Sequence, residues 1–333
     1  MDKLRFIMMV GLAGSGKSTV AKELAKDRKD IVIISSDNIR LELFGDESYQ
    51  GDNAKVFEEM RQRAKKSLKD GKHVVYDATN INRKKRKALL SQLPKDVEKI
   101  ALYMAIPYKV TLRQNEERER SVPVNSIFGM YKNLQIPIYS EGWDKIIFEY
   151  DNETLEDDLP KQYTDAVRAG VIYGREGYEL MSFLASEFMD HFFGVYDMPQ
   201  DSKHHSLSVS RHIYYVYRHI LENYEGDDKE MMLWAALLHD IGKEECKSFY
   251  NRKGEEARYA NFIGHEYVGS QKAVTLLKKL NFGDEFIHNV VTLVQFHMYL
   301  LDENANREKL KAYVGEEMYK KLEFLREADT LAH

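Results

Sequence analysis

The chain has 333 residues, 43% of them apolar and 31% charged, with a net charge of −5 at neutral pH. That length predicts two domains with separate cores, and the composition excludes a disordered or fibrous chain. The acidic balance argues against non-specific duplex binding, although a local basic groove could still take a strand end.

One cysteine, Cys246, leaves no intrachain disulfide and suits a reducing cytoplasm. It reads as a buried, inert thiol, since nothing nearby marks it as activated. No apolar run approaches membrane-spanning length, so no membrane partner is expected. The opening MDKLRFIMMV reads as a charged start to a buried strand and is too short for a signal peptide.

FIMMVGL (6–12) reads as a short apolar strand, and GLAGSGKST (11–19) follows it into a helix. IVIISSD (31–37), HVVYDATN (73–80) and KIALYMAI (99–106) read as further buried strands. Strands alternating with helices predict an α/β domain whose parallel sheet is covered on both faces. The acidic DNETLEDDLP (151–160) closes that pattern. The first domain is therefore set at residues 1–150, with a lid around 111–143 and a linker over 151–184. RHIYYVYRHILENY and KEMMLWAALLHDIG then read as long amphipathic helices, and nothing beyond the linker reads clearly as a strand. Residues 185–333 are expected to form an all-α domain.

Gly11, Gly16, Lys17 and Ser18 satisfy G-x4-G-K-[ST], with Gly14 and Thr19 in the same loop. Glycines let backbone N–H groups turn toward phosphates, and the helix N-terminus adds a favourable field. Lys17 can reach the β and γ phosphates, and Ser18 can ligate Mg2+. ATP, or another nucleoside triphosphate, with Mg2+ is the expected ligand. The acceptor is expected at later strand ends, where open α/β sheets bind ligands. After the second strand, Asp37 could accept the proton of an attacking hydroxyl, or it could simply cap a helix. Arg40, one turn on, could hold a substrate phosphate or carboxylate. Asp77 and Asn80 would face the same crevice. The run Arg83, Lys84, Lys85, Arg86, Lys87 is either a solvated helix face or a nucleic-acid contact.

GLAGSGKST, SSDNIR, DATNINRKKR and RQNEERERSVP, followed by a Met and an IP, together resemble the kinase module of polynucleotide 5′-kinases. The resemblance spans most of residues 5–150. It implies that Asp37 is the general base, that Arg40 binds the acceptor-side phosphate, and that Arg118 is the lid arginine with Asn115 as its partner. Arg113 and Arg120 are rivals for the lid role.

Most of the eleven histidines lie after residue 190. The group HHSLSVSRH (204–212), LLHDIGK (237–243), FIGHE (262–266), VVTLVQFH (290–297) and LREADTLAH (325–333) resembles the metal-dependent HD phosphohydrolase superfamily. That implies an all-helical fold with His212 as first ligand, His239–Asp240 as the signature pair and Asp329 as the last. His205 is the rival for the first position. His265 and His297 match members that hold two metals bridged by Asp240, and Lys243 would balance phosphate charge. Mixed imidazole and carboxylate donors suit Mn2+, Fe, Co2+, Ni2+ or Zn2+.

One half would add phosphate and the other remove it. The combined pattern resembles bifunctional end-healing enzymes, which prepare RNA or DNA strand ends for a separate ligase. The kinase half would phosphorylate a 5′-hydroxyl, and the HD half would remove a 2′,3′-cyclic phosphate or 3′-phosphate. Two other readings compete. One is a small-molecule kinase joined to a nucleotide phosphohydrolase. The other is a kinase whose HD fold serves only for binding or dimerisation.

Overall fold

The structure is a computed structural model and describes residues 3–151, 159–174, 177–202, 206–251 and 253–332. The chain divides into two compact units at Tyr150–Asp151, except that Tyr131–Asn133 group with the second. Residues 152–158, the heart of the acidic stretch read as a boundary, lie outside the described residues.

The first unit is a five-stranded parallel sheet in the order β2-β3-β1-β4-β5. Its strands are β1 (Arg5–Val10), β2 (Ile31–Ser35), β3 (His73–Asp77), β4 (Glu98–Ala105) and β5 (Lys145–Tyr150). β1, β3 and β4 are nearly continuous apolar runs because both faces of a parallel sheet are covered. One core cluster joins Met9, Val75, Leu102 and Met104 to Ala21 of the first helix. The covering helices are α1 (Lys17–Ala25), α2 (Ser36–Phe44), α3 (Asn53–Lys69), α4 (Arg83–Leu90), α5 (Tyr108–Glu116) and α6 (Val124–Tyr131). The fifth strand, KIIFEY, is a finding of the structure. Half-exposed at the sheet edge, it lacks the continuous apolar signal of the inner strands.

The basic run at the start of α4 does not act as one charged face. Lys84, Lys85 and Lys87 are exposed, but Arg83 and Arg86 are buried. Arg86 donates from Nε and Nη2 to Glu141 at 2.7 and 2.6 Å, and from Nη1 to the Asn80 carbonyl at 2.9 Å. Glu141 also accepts from the Ile138 amide and the Trp143 indole. Truncating one partner of such a buried pair strands the other charge, at a cost of about 3–5 kcal/mol. Arg86→Ala should therefore destabilise the first unit by about that amount in denaturant titration. Lys84→Ala, on the exposed face, should change stability by less than about 0.5 kcal/mol.

The second unit is mostly helical. Its helices are α7 (Lys161–Ile172), α8 (Glu179–Glu187), α9 (Met189–Phe192), α10 (Val209–Asn223), α11 (Lys229–Leu238), α12 (Lys243–Cys246), α13 (His265–Lys279), α14 (Asp284–Phe296), α15 (Arg307–Val314) and α16 (Glu316–Leu331). The stretch read as linker thus contains α7, whose Val167 and Val171 are fully buried. Its Val171 carbonyl accepts from the buried Tyr217 hydroxyl of α10. α11 is buried from Met231 through Leu238 and forms the centre of this core.

The expectation of no strand here needs correction. β6 (Ser248–Tyr250) and β7 (Glu256–Asn261) pair as an antiparallel hairpin with an irregular register. Both strands are short and largely exposed, and β7 is charged, so neither shows the alternation that marks a half-buried strand. Among the described residues no helix is long and apolar enough to cross a membrane.

Candidate functional site

Two polar centres stand out, one in each unit. In the first, the loop after β1 turns through Gly14 and Gly16, both with positive φ (88° and 80°). Gly16 caps α1 without a side-chain bond, so the helix starts with its N–H groups aimed at the loop. A Cβ at Gly14 would lie 2.9 Å from both the Thr111 carbonyl and the Asn115 Cβ of α5. A Cβ at Gly11 would meet Ser15 Oγ at 2.8 Å. Thr19, in the first turn of α1, sends its amide back to the Gly16 carbonyl.

Lys17 is buried and donates to the Leu12 carbonyl. Burial pulls its ammonium down to about 8, against the opposing pull of Asp77, and the nearby Arg118 charge lowers it further. Ser18 donates to Asp77 Oδ2 at 2.7 Å. Asp77 ends β3 next to the loop, and burial raises its carboxyl above the usual range. A hydroxyl and a carboxylate in contact beside a phosphate-binding loop form a donor set that fits Mg2+. The pairing of Ser18 with Asp77 joins the first turn of α1 to the end of β3 and is not visible in the motif.

Asp37 lies in the first turn of α2, but Ser35 occupies the N-cap position. The carboxylate of Asp37 instead accepts from Arg40 Nη1 at 2.9 Å. Arg40 is buried and is also held by Asn53 Oδ1 at 2.9 Å. Arg120 lies 3.8 Å from Asp37 and 3.0 Å from Glu47. Of the lid arginines, Arg113 and Arg118 are exposed and Arg120 is partly buried. Asn115, almost fully buried, accepts from the Val122 amide and donates to the Val122 carbonyl, which folds the arginine-bearing turn between α5 and α6. Asn80, with φ 47°, donates to the Met9 carbonyl at 2.7 Å and braces β1 just before the loop.

In the second unit, six side chains from five elements converge. His212 lies on the buried stripe of α10 with Val209, Ile213, Val216 and Ile220. His239 and His297 cap the C-termini of α11 and α14. His265 opens α13, and Asp329 is in the last turn of α16. His212, His239 and Asp329 form one group within metal-sharing distance, and Asp240, His265 and His297 form another. His205 lies outside the described residues.

The imidazoles share one arrangement. Nδ1 of His239, His265 and His297 meets the carbonyl three residues earlier, at 2.7–2.8 Å. Nδ1 of His212 meets the Ala332 carbonyl at 2.9 Å. A carbonyl only accepts, so each Nδ1 carries hydrogen and each Nε2 is left to face inward. Nε2 of His212 and His239 are 3.3 Å apart, and those of His265 and His297 are 3.1 Å apart. Lone pairs so close repel unless a cation or a proton lies between them.

Asp240 faces both groups. Its Oδ2 is 3.3 Å from His239 and 3.6 Å from His212; its Oδ1 is 3.2 Å from His265 and 3.8 Å from His297. His212 and Asp329 are 2.9 Å apart. The donor set fits two divalent cations with Asp240 between them.

Charge is balanced to match. Burial would raise Asp240, but Lys243 at 2.6 Å and His239 hold it well below the usual range. Burial would also raise Asp329, but His212 and the nearby imidazoles outweigh it and hold it at about 2. Burial and the neighbouring imidazoles push His297 down to about 3. Burial opposes the charge on His239, yet Asp240 outweighs it and raises that imidazole. A cation at the inward nitrogen of His239 would compete with a proton there, and the raised imidazole strengthens that competition. Metal occupancy is expected to fall as pH drops through the raised value of His239 and to level off above it. Calorimetric titration with Mn2+ in buffers of different ionisation enthalpy would register proton release that shrinks as pH rises. Binding indifferent to pH would remove His239 from the ligand set.

Lys243 is buried against Gln200 Oε1 at 2.8 Å and the Phe262 ring. Gly242 lets α12 approach α13: a Cβ there would lie 2.3 Å from the His265 carbonyl. Cys246 is buried, and burial pushes its thiol up to about 12.

The fold and the two centres agree with a kinase-like P-loop domain followed by an HD domain. In family terms, residues 6–135 match an AAA domain and residues 203–333 match an HD domain. An L-seryl-tRNA(Sec) kinase of Methanococcus maripaludis is 29% identical over 145 residues, 41% of this chain and 55% of that kinase. The chain thus spans about half the length of the curated relative it matches. Among solved structures, a chain of the Pnkp1/Rnl/Hen1 RNA repair complex is 19% identical, with a TM-score of 0.35 over 38% of this chain and 42% of that one. A sugar kinase from Janibacter sp. HTCC2649 is 18% identical, with a TM-score of 0.34 over 44% of this chain and 85% of that one.

Proposed function

We propose that the protein heals nucleic-acid ends. The P-loop unit phosphorylates a 5′-hydroxyl from ATP, and the HD unit removes a 2′,3′-cyclic phosphate or 3′-phosphate. The observation that carries this reading is the presence, on one chain, of a phosphate cradle beside Asp37 and a His/Asp cluster centred on Asp240. On a small metabolite, adding and removing phosphate would cancel. On a broken strand the two ends need opposite treatment. The name of the matched relative, an L-seryl-tRNA(Sec) kinase, supports an acceptor carried on RNA.

In this reading, Lys17 and the loop N–H groups of Gly11, Gly14, Gly16 and Thr19 bind the triphosphate. Arg118, whose charge reaches Lys17, steadies the transferring group from the lid. Asp37 takes the proton of the attacking hydroxyl, and Arg40, fixed by Asn53, holds the neighbouring phosphate of the strand. Ser18 and Asp77 would hold Mg2+, which would supply neutralising charge to the phosphates.

In the HD unit, His212, His239, Asp240, His265, His297 and Asp329 would hold Mn2+, Fe, Co2+, Ni2+ or Zn2+. Such cations lower the pKa of bound water and clamp a phosphoryl oxygen. Lys243, already paired with Asp240, orients that carboxylate and offsets the phosphate charge. The setting is the cytoplasm, and a separate ligase would seal the products.

The test uses ATP, Mg2+ and Mn2+ with two short RNA and DNA oligonucleotides, one bearing a 5′-hydroxyl and the other a 2′,3′-cyclic phosphate or 3′-phosphate. Phosphate gain on the first and loss on the second is expected. ATP binding without transfer to either kind of end would favour a small-molecule acceptor, the reading that the net charge of −5 supports.

A further inference from the structure

The hairpin of β6 and β7 is inserted between two parts of the His/Asp cluster. β6 begins just beyond Cys246, the last residue of the helix that Lys243 opens, and β7 ends just before His265. Its large side chains are left in solvent: Phe249 is 39% exposed, Tyr250 59%, Tyr259 42% and Ile263 39%. Isolated exposed apolar residues are ordinary, but three exposed aromatic side chains on one short arm mark a contact surface.

Cations interleave with these rings. The Arg258 guanidinium lies 5.3 Å from the centre of the Tyr259 ring, and the Lys247 ammonium lies 6.0 Å from that of Phe249. Lys247 is also tied to Asp201, but Lys253 and Arg258 make no ion pair among the described residues. An open groove of about 450 Å3 runs along the hairpin, lined by Lys253, Glu255, Ala257, Tyr259, Asn261 and Ile263. That is room for a nucleotide-sized group.

The arm is fixed at its base. The Ala260 amide donates to the Asp201 carbonyl at 3.0 Å, and Asn261 Nδ2 donates to the carbonyls of Ser248 and Tyr250, both at 2.9 Å.

We infer that this hairpin is a platform for single-stranded nucleic acid, guiding the strand whose terminal phosphate is removed at the His/Asp cluster. The inference rests on the end-removal reading above. Exposed aromatic faces stack bases of any sequence, and adjacent cations meet the backbone phosphates. In a chain of net charge −5, unpaired cations beside exposed rings are a local exception that suits an anionic, aromatic ligand. The strand would pass over the hairpin, and its last phosphate would enter between Lys243 and the imidazoles.

The test compares the Mn2+-loaded full chain with a Tyr250→Ala/Tyr259→Ala variant and with Arg258→Ala. Two substrates carry the same cyclic phosphate, a twelve-nucleotide strand (about the length one such site covers) and a mononucleotide. For the double variant, KM on the strand should rise about tenfold or more, with kcat unchanged and turnover of the mononucleotide unaltered. Arg258→Ala should flatten the salt dependence of KM on the strand. The Tyr250→Phe/Tyr259→Phe pair, which keeps the rings, should behave as the parent.

Unchanged KM on the strand in the double variant overturns the inference. Equal losses on strand and mononucleotide also overturn it, since they mark a purely structural role. If the parent hydrolyses neither substrate, the end-removal reading fails separately. The hairpin is then judged by fluorescence anisotropy of a labelled unreactive strand. Binding that the double variant loses sustains the platform, and binding that it keeps, or that the parent lacks, overturns it.

Discussion

Asp240→Ala is expected to empty the HD centre of metal and to end phosphate removal while leaving the kinase intact. Among the described residues, Asp240 is the carboxylate that faces both groups of imidazoles, with Oδ2 toward His239 and Oδ1 toward His265. Loss of an outer-sphere partner of a metal ligand already costs about 10–100-fold in affinity or activity. Removal of a shared ligand should exceed that range. Elemental analysis of purified protein should show metal near background, and release of phosphate from a 3′-phosphorylated strand should fall more than about 100-fold.

The same change strands buried Lys243, which sits 2.6 Å from the carboxylate. Some loss of stability is therefore expected, so Asp240→Asn serves beside it. The amide keeps the volume and a polar partner but lacks the charge that binds the cations. Kinase activity within about twofold of the parent would show that the chain is folded. Full metal content and full hydrolysis in both variants would sink the assignment.

Asp37→Ala should do the reverse. Removing a general base typically costs about 10²–10⁴-fold in rate. Transfer of phosphate to a 5′-hydroxyl strand should fall by that order in kcat. ATP binding and phosphate removal should be unchanged. The side chain of Asp37 is 42% exposed, so the substitution leaves no buried hole. Arg40 keeps its bond to Asn53, and the acceptor phosphate site should persist.

That predicts a specific kinetic pattern: kcat collapses while KM for the strand stays within about threefold. Retention of kcat would leave Asp37 as an acidic residue in the first turn of α2, favourable only through the helix dipole. Loss of both activities from either variant, with the chain still folded, would falsify the two-site arrangement.

Much of this was legible in the chain itself. A phosphate loop is a local device: its glycines, lysine and hydroxyl lie in one stretch, and the strand before and helix after it are equally local. The inner strands were legible because a parallel sheet buried on both faces must be continuously apolar. The histidines were legible as a series because their order around the His239–Asp240 pair resembles that of the HD superfamily.

The misreadings have physical causes too. The hairpin of β6 and β7 escaped notice because an exposed two-stranded arm has no buried face to impose alternation. The run after Asn82 read as a single charged stretch, yet Arg83 and Arg86, three apart, share the inward face of α4 and meet Glu141 from a distant turn. Nothing in a linear run of charges says which members will be covered.

The sequence by itself pointed to two classes of chemistry, phosphate cradling through fixed residue types in one short stretch and imidazole–carboxylate ligation through the resemblance of its ordered histidines to the HD superfamily. Only the tertiary structure decided the partners. It set Ser18 against Asp77, gave Asp37 to Arg40 rather than to a helix cap, and turned the two oxygens of Asp240 to different histidine pairs. It also fixed each imidazole's proton on Nδ1, because the carbonyls that accept it are presented by helix ends and turns that exist only once the chain is folded.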